Sequence, residues 1–220
     1  PYNGQKLFLS PEISIKAQKI LGADIIFAFD ECTSPLSSYE YTKKALIRTH
    51  KWAIKCLDEF GKNKKQVLFG IVQGGEYEDL RKESAQFINS LPFFGFGIGG
   101  SFGKKEMKKT LNWVLPYLDE NKPRHLLGIG EIDDIFNAIE QGIDLFDCVI
   151  PTRWARHGTG FSFQGRINLK SSKYLTDKKP IDPKCQCQVC RKYSRAYICH
   201  LLREKEIYGI MLLTEHNVFW

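Results

Sequence analysis

Short apolar runs alternate with longer amphipathic stretches along the first two thirds of the chain. Five runs are typical of strands buried on both faces: residues 25–29, 67–72, 93–98, 126–129 and 145–150. Between them, apolar positions recur with the helical period, which predicts helices that include residues 78–89, 104–118 and 132–141. This alternation indicates a parallel α/β sheet, either doubly wound or part of a (β/α)8 barrel, although five units cannot close eight strands.

Local start and stop signals mark two further helices. Ser10-Pro11-Glu12 combines a capping residue, a first-turn proline and an early acid, and Gly22 is a C-terminal stop. Ser37 and Glu40 have the spacing of a capping box before a long apolar pattern that ends at Gly61. Both segments are therefore predicted as helices.

The pattern changes near residue 155. Residues 161–169 alternate around Gln164-Gly165, as in a small antiparallel hairpin, and a lysine-rich stretch then leads to a group of cysteines. Helical patterns at 191–205 and 206–220 follow. We therefore expect a partial barrel over residues 1–155 and a hairpin with a metal-binding helical subdomain over residues 156–220.

The composition is that of a folded protein with a basic surface. Of its 220 residues 43% are hydrophobic and 26% are charged. The longest uncharged stretch that resembles a membrane segment, residues 91–103, is shorter than the roughly 20 residues of a spanning helix and contains five glycines. No membrane span is predicted. The net charge of +7 favours a polyanionic partner.

Seven cysteines are present, and four of them lie within residues 185–199. Cys185, Cys187 and Cys190 are close enough for one turn to wrap a tetrahedral metal ion, with Cys199, His200 or His216 as the fourth ligand. Such a closed site is structural, because no position remains for water. The distribution predicts a metal site in a reducing compartment, such as the cytoplasm, rather than disulfides; a buried cluster of reduced cysteines is the alternative.

Acidic residues and glycines follow several predicted strands. Asp30 comes after the first run and Asp147 lies in the fifth, while Gln73-Gly74-Gly75 and Gly97-Ile98-Gly99-Gly100 end the second and third. Ligands bind at this edge in parallel α/β proteins, and glycines let a polar ligand approach the backbone. A capping role for Asp30, a hydrogen-bonded strand-end acid at Asp147 and ordinary tight turns are the alternatives.

Several blocks, taken together, resemble bacterial tRNA-guanine transglycosylases and occur in that family's order. They are Phe29-Asp30-Glu31-Cys32-Thr33, Phe69-Gly70-Ile71-Val72-Gln73-Gly74, Ile98-Gly99-Gly100, Leu127-Gly128-Ile129-Gly130, Phe146-Asp147-Cys148-Val149-Ile150-Pro151-Thr152-Arg153, Cys185-x-Cys187-x-x-Cys190, Ser194-Arg195-Ala196-Tyr197-Ile198 and Thr214-Glu215-His216-Asn217. The resemblance implies an incomplete (β/α)8 TIM barrel with an inserted subdomain that binds one structural zinc ion. It also implies exchange of the wobble guanine of certain tRNAs for a 7-deazaguanine, preQ1 or queuine, in queuosine biosynthesis.

The resemblance assigns roles to individual residues. Asp147 matches the catalytic nucleophile, for which a carboxylate below the ribose is chemically suited. The family residues that contact the base correspond to Asp30, Gln73 and the backbone N–H of Gly100, with Leu127 as an apolar wall. Those that contact the tRNA anticodon loop correspond to Arg153 and Arg156. The zinc ligands become Cys185, Cys187, Cys190 and His216, so the resemblance selects His216 among the three candidates left by spacing.

The chain also departs from the family pattern. The family's general base lies upstream of Pro1 and its members continue beyond Trp220, so we expect a fragment that is inactive alone because its barrel is open. The run from Gly100 to Lys105 differs from the usual bacterial one, and no counterpart of the family's base-sensing glutamate is assigned.

Assembly and alternative functions complete the expectations. Tyr193, Tyr197 and His200 have the spacing of one helix face, and the resemblance implies that they lie in a homodimer interface; burial within their own domain is the alternative. A partner subunit without catalytic activity, or a zinc module that only binds tRNA, would share the charge and the cysteines. The combination of Asp30, Gln73 and Gly100 with Asp147 favours the enzyme.

Overall fold

The computed structural model describes residues 4, 6–62, 65–100 and 104–220, with the backbone alone at Lys104 and Lys105. The chain forms two compact units, here called the barrel unit (Pro1–Asp147) and the cysteine unit (Cys148–Trp220). The division falls before residue 155 because the helix at Ile150–Arg156 packs against the last helix of the cysteine unit.

A parallel sheet organises the barrel unit. Its strands pair in chain order: β1 (Ile25–Phe27), β2 (Val67–Val72), β3 (Gly95–Ile98), β4 (Arg124–Leu126) and β5 (Leu145–Phe146). A doubly wound sheet reverses its strand order, whereas barrel strands follow one another round the sheet. The order is therefore that of a partial barrel, as expected.

Helices connect successive strands. They are α1 (Pro11–Leu21), α2 (Tyr39–Phe60), α3 (Glu78–Asn89), α4 (Lys104–Val114) and α5 (Ile132–Ile139). Buried aliphatic and aromatic side chains from the strands and helices form the core, with Phe96, Ile98 and Leu126 fully enclosed. Folding costs the chain conformational entropy, and the burial of this apolar surface offsets most of that cost.

A contact across the sheet shows its curvature. Phe27 on β1 and His125 on β4 have ring centroids 5.2 Å apart, although three strand spacings of a flat sheet span about 14 Å. Gly97 on β3 permits this approach, since an added Cβ would lie 2.8 Å from Ile71 Cδ1 and 3.1 Å from Phe27 Cε1. The sheet therefore curls with these side chains on its concave face.

The predicted helix signals are confirmed at α1 and shifted by one residue at α2. The Ser10 hydroxyl accepts a hydrogen bond from Ile13 N, and Gly22 ends the helix in the left-handed conformation. At α2 the cap is Ser38 rather than Ser37, because the helix begins at Tyr39 and Ser38 Oγ accepts from Tyr41 N. The capping-box interpretation of Ser37 was wrong.

Two predicted elements are broken by local signals that the apolar pattern concealed. The run at 145–150 is not one strand: β5 ends at Phe146 and α6 (Ile150–Arg156) follows, with Pro151 in its first turn. The run at 104–118 is α4 followed by a 3₁₀ turn at Leu115–Tyr117, which contains Pro116.

The cysteine unit consists of α6, a short hairpin and three further helices. Strands β6 (Thr159–Gly160) and β7 (Ile167–Asn168) pair antiparallel, enclosing the predicted turn. The predicted helix at 191–205 is two helices, α7 (Gln188–Lys192) and α8 (Arg195–Arg203), because Ser194 caps a new helix. The chain closes with α9 (Ile207–Phe219).

Asn217 on α9 joins three segments of the cysteine unit. Its side chain, 3% exposed, donates to the carbonyl oxygens of Pro151 and Thr159 and accepts from Phe161 N. Buried polar groups of this kind stabilise a unique arrangement only when they are fully paired. Asn217 thus fixes α6 and the hairpin against α9.

None of the helices in the described part of the chain is both long and apolar enough to span a bilayer.

His50 on α2 is buried as a neutral imidazole. Its ring stacks on Phe87 of α3 with centroids 4.1 Å apart, and its Nε2 is enclosed without a hydrogen-bond partner among the described residues. Burial lowers the pKa of His50 from 6.5 to about 4. As the pH falls from about 6.5 towards 4, His50 becomes protonated in the unfolded chain but stays neutral in the native chain, so the free energy of unfolding decreases.

We predict that His50→Phe removes this loss, because phenylalanine keeps the ring stack without a titrating group. Between pH 7.5 and pH 5, the free energy of unfolding of the unsubstituted chain should fall by about 2 kcal/mol more than that of the variant. Urea unfolding at both pH values measures it, with His157→Asn as the control at an exposed histidine. Equal pH dependence in both chains would contradict the assignment.

Candidate active site and metal centre

The expected base-site residues follow the carboxyl ends of the strands. Asp30 follows β1, Gln73 follows β2, Gly100 follows β3, Leu127 follows β4 and Asp147 follows β5. Parallel pairing brings these ends to one edge of the sheet, here called the rim, where ligands of such folds bind.

Asp30 and Gln73 form a direct pair at the rim. Gln73 Nε2 donates to Asp30 Oδ2 at 2.6 Å, and the glutamine side chain is almost fully buried. Burial raises the pKa of Asp30, and the hydrogen bond from Gln73 opposes that increase. Gln73 Oε1 is buried with no hydrogen-bond partner among the described residues. The pair therefore retains hydrogen-bonding capacity for a polar ligand.

The Asp147 carboxylate is anchored through one oxygen. Oδ1 accepts from the backbone N of Gly128 at 3.0 Å and from Nε2 of His125 at 2.9 Å. No hydrogen bond from a described residue reaches Oδ2, and the side chain is 56% exposed. This geometry directs one carboxylate oxygen into the backbone and leaves the other accessible.

His125 is a site residue that sequence reasoning missed. It lies on β4 with its side chain 12% exposed, held between the ring of Phe27 and Asp147. A histidine within a strand, two residues before an expected pocket-wall residue, was the available signal. Its partner Asp147 directly follows the next strand, so the pairing is not visible in the local pattern.

The remaining expected contacts occupy two environments. Leu127 is half-buried at the rim, and its N–H donates to Ile98 O. Arg153 and Arg156 are exposed in the last turn of α6, three residues apart and hence on one helix face. Residues 101–103 of the divergent run lie outside the described residues.

Three cysteines and one histidine converge in the cysteine unit. The Sγ atoms of Cys185, Cys187 and Cys190 lie 3.8, 3.4 and 3.4 Å from Nδ1 of His216, and all four ligand atoms lie within 4.8 Å of one another. A tetrahedral zinc ion places sulfur and nitrogen ligands about 3.6 Å apart. The donor set and its spacing fit a metal ion such as zinc.

The surroundings of the cluster prepare it for a cation. His216 Nε2 donates to Phe161 O at 2.8 Å, which leaves the Nδ1 lone pair facing the sulfurs. Backbone N–H groups donate to Cys185 Sγ and Cys187 Sγ. Burial and the neighbouring thiols raise the pKa of Cys190 to about 12, so a cation is needed to hold the group as thiolates.

The other ligands that spacing allowed are not in the cluster. Cys199 is fully buried on α8, and its Sγ donates to Ser171 O at 3.6 Å. His200 is exposed on the same helix. The structure thus agrees with the selection of His216.

The curled parallel sheet, the carboxylates at its rim and the Cys3His cluster define a (β/α) barrel protein with a metal-binding subdomain. The sequence profile described as Queuine tRNA-ribosyltransferase matches residues 1–220. The chain belongs to this family.

Individual relatives agree with the profile. The queuine tRNA-ribosyltransferase of Bacillus velezensis is 50% identical over 219 residues, which cover 98% of this chain and 58% of that protein. Those of Bacillus subtilis and Halothermothrix orenii are 48% and 47% identical, over 98% and 99% of this chain and 58% and 59% of theirs. The chain therefore spans somewhat over half the length of these curated relatives.

We predict one bound metal ion per chain, measured by elemental mass spectrometry of protein purified without added metal. His216→Ala should lower the metal content and the affinity for added metal, because it removes a ligand and its bond to Phe161. Cys199→Ser is the matched control and should retain the metal. Chelation should increase amide exchange in residues 148–220 first; full metal content in His216→Ala with loss in Cys199→Ser would contradict the ligand set.

Proposed function

We propose that this protein is a tRNA-guanine transglycosylase, a pentosyltransferase that exchanges the wobble guanine of target tRNAs for a 7-deazaguanine base, preQ1 or queuine, in queuosine biosynthesis. Membership of the queuine tRNA-ribosyltransferase family supports this activity. The observation that carries the proposal is the Asp147 carboxylate, which is anchored at Oδ1 and open at Oδ2.

Asp147 acts as the nucleophile. A lone pair on Oδ2 forms a bond to ribose C1′, and the C1′–N9 bond breaks with its electron pair on guanine N9, which takes a proton from water. The incoming base then loses its N9 proton to solvent and attacks C1′, which releases the carboxylate. The negative charge below the ring stabilises the oxocarbenium character of both transition states.

The rim supplies a site of complementary polarity for the base. Asp30 accepts from the N1–H and the exocyclic amine of guanine, and these two donors offset the burial that raises the pKa of Asp30. Once the base occupies Asp30, the Gln73 amide is released from that carboxylate and, with Gly100 N–H, donates to the base carbonyl oxygen. Leu127 forms an apolar wall.

Contacts outside the base pocket hold the tRNA. Arg153 and Arg156, exposed on one face of α6, bind the anticodon loop through phosphates and splayed bases. The net charge of +7 assists this association. Zinc at Cys185, Cys187, Cys190 and His216 is structural, because four protein ligands leave no site for water.

The proposal predicts that Asp147→Asn in the full-length protein lowers labelled-guanine incorporation into tRNA by roughly three orders of magnitude or more. An amide keeps the size of the side chain and one acceptor oxygen, so folding and tRNA affinity should be retained. Exchange should be lost because the amide is a far weaker nucleophile than the carboxylate. Denaturing electrophoresis should show a covalent tRNA adduct with the unsubstituted protein only.

Asp133→Asn is the matched control, since Asp133 is an exposed acid on α5. His125→Phe removes one of the two donors to Oδ1 and should lower turnover by about ten- to a hundredfold. Near-normal turnover of Asp147→Asn would contradict the assignment of Asp147 as the nucleophile. Tight tRNA binding without exchange by the unsubstituted protein would favour a partner subunit or binding module.

Assembly as a homodimer is proposed through Tyr193, Tyr197 and His200. The expectation that one helix carries all three is wrong, because Tyr193 is the C-cap that follows α7 and only the other two lie on α8. The rings of Tyr193 and Tyr197 nevertheless stack 5.5 Å apart, and Tyr197 and His200 are exposed. Amphipathic exposed rings suit a surface that is wet when free and packed when paired.

We predict that Tyr193→Ala with Tyr197→Ala weakens self-association of the full-length protein by at least about tenfold, because the pair removes stacked apolar area. Sedimentation velocity over a concentration series measures the dissociation constant. Tyr41→Ala, at an exposed tyrosine of the barrel unit, is the control. An unchanged dissociation constant would show that these rings serve their own unit.

A further inference from the structure

Arg81 on α3 is a fully enclosed cation beside the rim. Its relative exposure is 0%, and it is among the largest side chains of the chain to be so deeply buried. Burial lowers the pKa of Arg81 to about 10, which still leaves the guanidinium charged near neutral pH. A buried cation destabilises a fold unless strong hydrogen bonds replace its hydration, so its partners are informative.

The guanidinium joins the ends of two strands. Nε donates to Gly75 O at 2.8 Å, and Nη1 donates to Gly99 O at 2.6 Å and to Val72 O at 3.3 Å. Val72 is the last residue of β2 and directly precedes Gln73, Gly75 lies two residues beyond Gln73, and Gly99 precedes Gly100 after β3. One planar side chain thus connects the backbone of both base-reading segments.

The glycines of these segments fit the same side chain. A Cβ at Gly74 would lie 2.7 Å from Arg81 N, and one at Gly100, where φ is +125°, would overlap Arg81 Nη2. One turn further along α3, Ser84 Oγ accepts from Gln73 N at 3.1 Å. The glycine pairs therefore do more than form tight turns, because they let the turns after β2 and β3 both pack against α3.

We infer that Arg81 is a positioning residue for base recognition, which sets the Gln73 amide and the Gly100 N–H in one geometry by fixing the segments that carry them. The inference rests on the proposed function of the rim as a guanine site. Arg81 is too enclosed to contact the base itself, so it acts through the backbone. A lysine cannot replace it, because a single ammonium lacks the planar fork that spans two segments.

Arg81→Lys and Arg81→Ala in the full-length protein test the inference. Equilibrium dialysis with labelled guanine should show an affinity lowered by about tenfold or more, because the Gln73 amide and the Gly100 N–H are no longer held in position and hydrogen bonding to the base is lost. Affinity for tRNA should change by less than about twofold, because phosphate contacts dominate it. In exchange kinetics, KM for guanine should rise in parallel with the dissociation constant.

Chemical rescue separates positioning from a general loss of structure. Millimolar guanidinium should restore guanine binding to Arg81→Ala, whereas methylammonium should not, since it cannot bridge Gly75 O and Gly99 O. If Arg81→Ala is insoluble, Arg81→Lys and Arg81→Gln supply the affinity comparison. Thermal unfolding is followed for every variant.

Two controls lie on the same helix. Lys82→Met alters a half-buried neighbour whose partner is Glu78 and should leave guanine affinity unchanged. Ile88→Ala opens a cavity in the core away from the rim segments and should lower stability without loss of guanine affinity.

Unchanged guanine affinity in the Arg81 variants, an equal loss in Ile88→Ala, or equal rescue by methylammonium would overturn the inference. Absence of guanine binding and exchange by the unsubstituted protein would instead overturn the proposed function, and this inference with it.

Discussion

Parallel pairing of consecutive strands is the constraint from which the rest of the barrel unit follows. Because every strand runs in the same direction, residues from Asp30 to Asp147 reach one edge of the sheet although they are distant in the chain. The curl of the sheet, visible where Phe27 meets His125, makes that edge concave. A concave edge with several independent strand ends can hold one ligand by groups of different chemistry.

Polar groups gathered at such an edge are partly removed from water, and the buried ones need hydrogen-bond partners within the protein. Gln73 donates a hydrogen bond to Asp30, and His125 and Gly128 donate to Asp147. Arg81 donates to backbone carbonyl oxygens. These pairings use most of the hydrogen-bonding capacity of the rim. Gln73 Oε1 and Asp147 Oδ2 accept no hydrogen bond from the described residues. The paired groups hold the strand ends in place, whereas these two acceptors are available to a ligand.

The cysteine unit meets a different difficulty, because its core is small. Its elements are short, and two adjacent residues of α9 connect them: Asn217 reaches α6 and the hairpin, and His216 reaches the cysteine segment. A metal ion at the cluster would join residues 185–190 to α9, which are far apart in sequence. Small units commonly need such a cross-link, since apolar burial alone offsets little of their chain entropy.

Local sequence was sufficient for most helices and for the existence of the strands. The helix at 78–89 and the limits of α1 were predicted correctly, since caps, prolines and helical periodicity act between near neighbours. Where two local signals competed, as at Ser37 and Ser38, the pattern failed by one residue. The prediction of a strand over 145–150 failed for the same kind of reason, because the continuous apolar run concealed the start of α6 at Ile150, which Pro151 in the first turn signals.

The sequence by itself determined the α/β alternation, the three closely spaced thiols and, through its family blocks, the expected site residues. Only the tertiary structure decided that His125 holds Asp147 and that Arg81 joins two rim segments. Spacing left Cys199, His200 and His216 open as the fourth ligand, and the structure places His216 beside the sulfurs, in agreement with the family blocks. Each of these contacts joins residues on different elements. Their partners are set by strand order and helix packing, which no local pattern records.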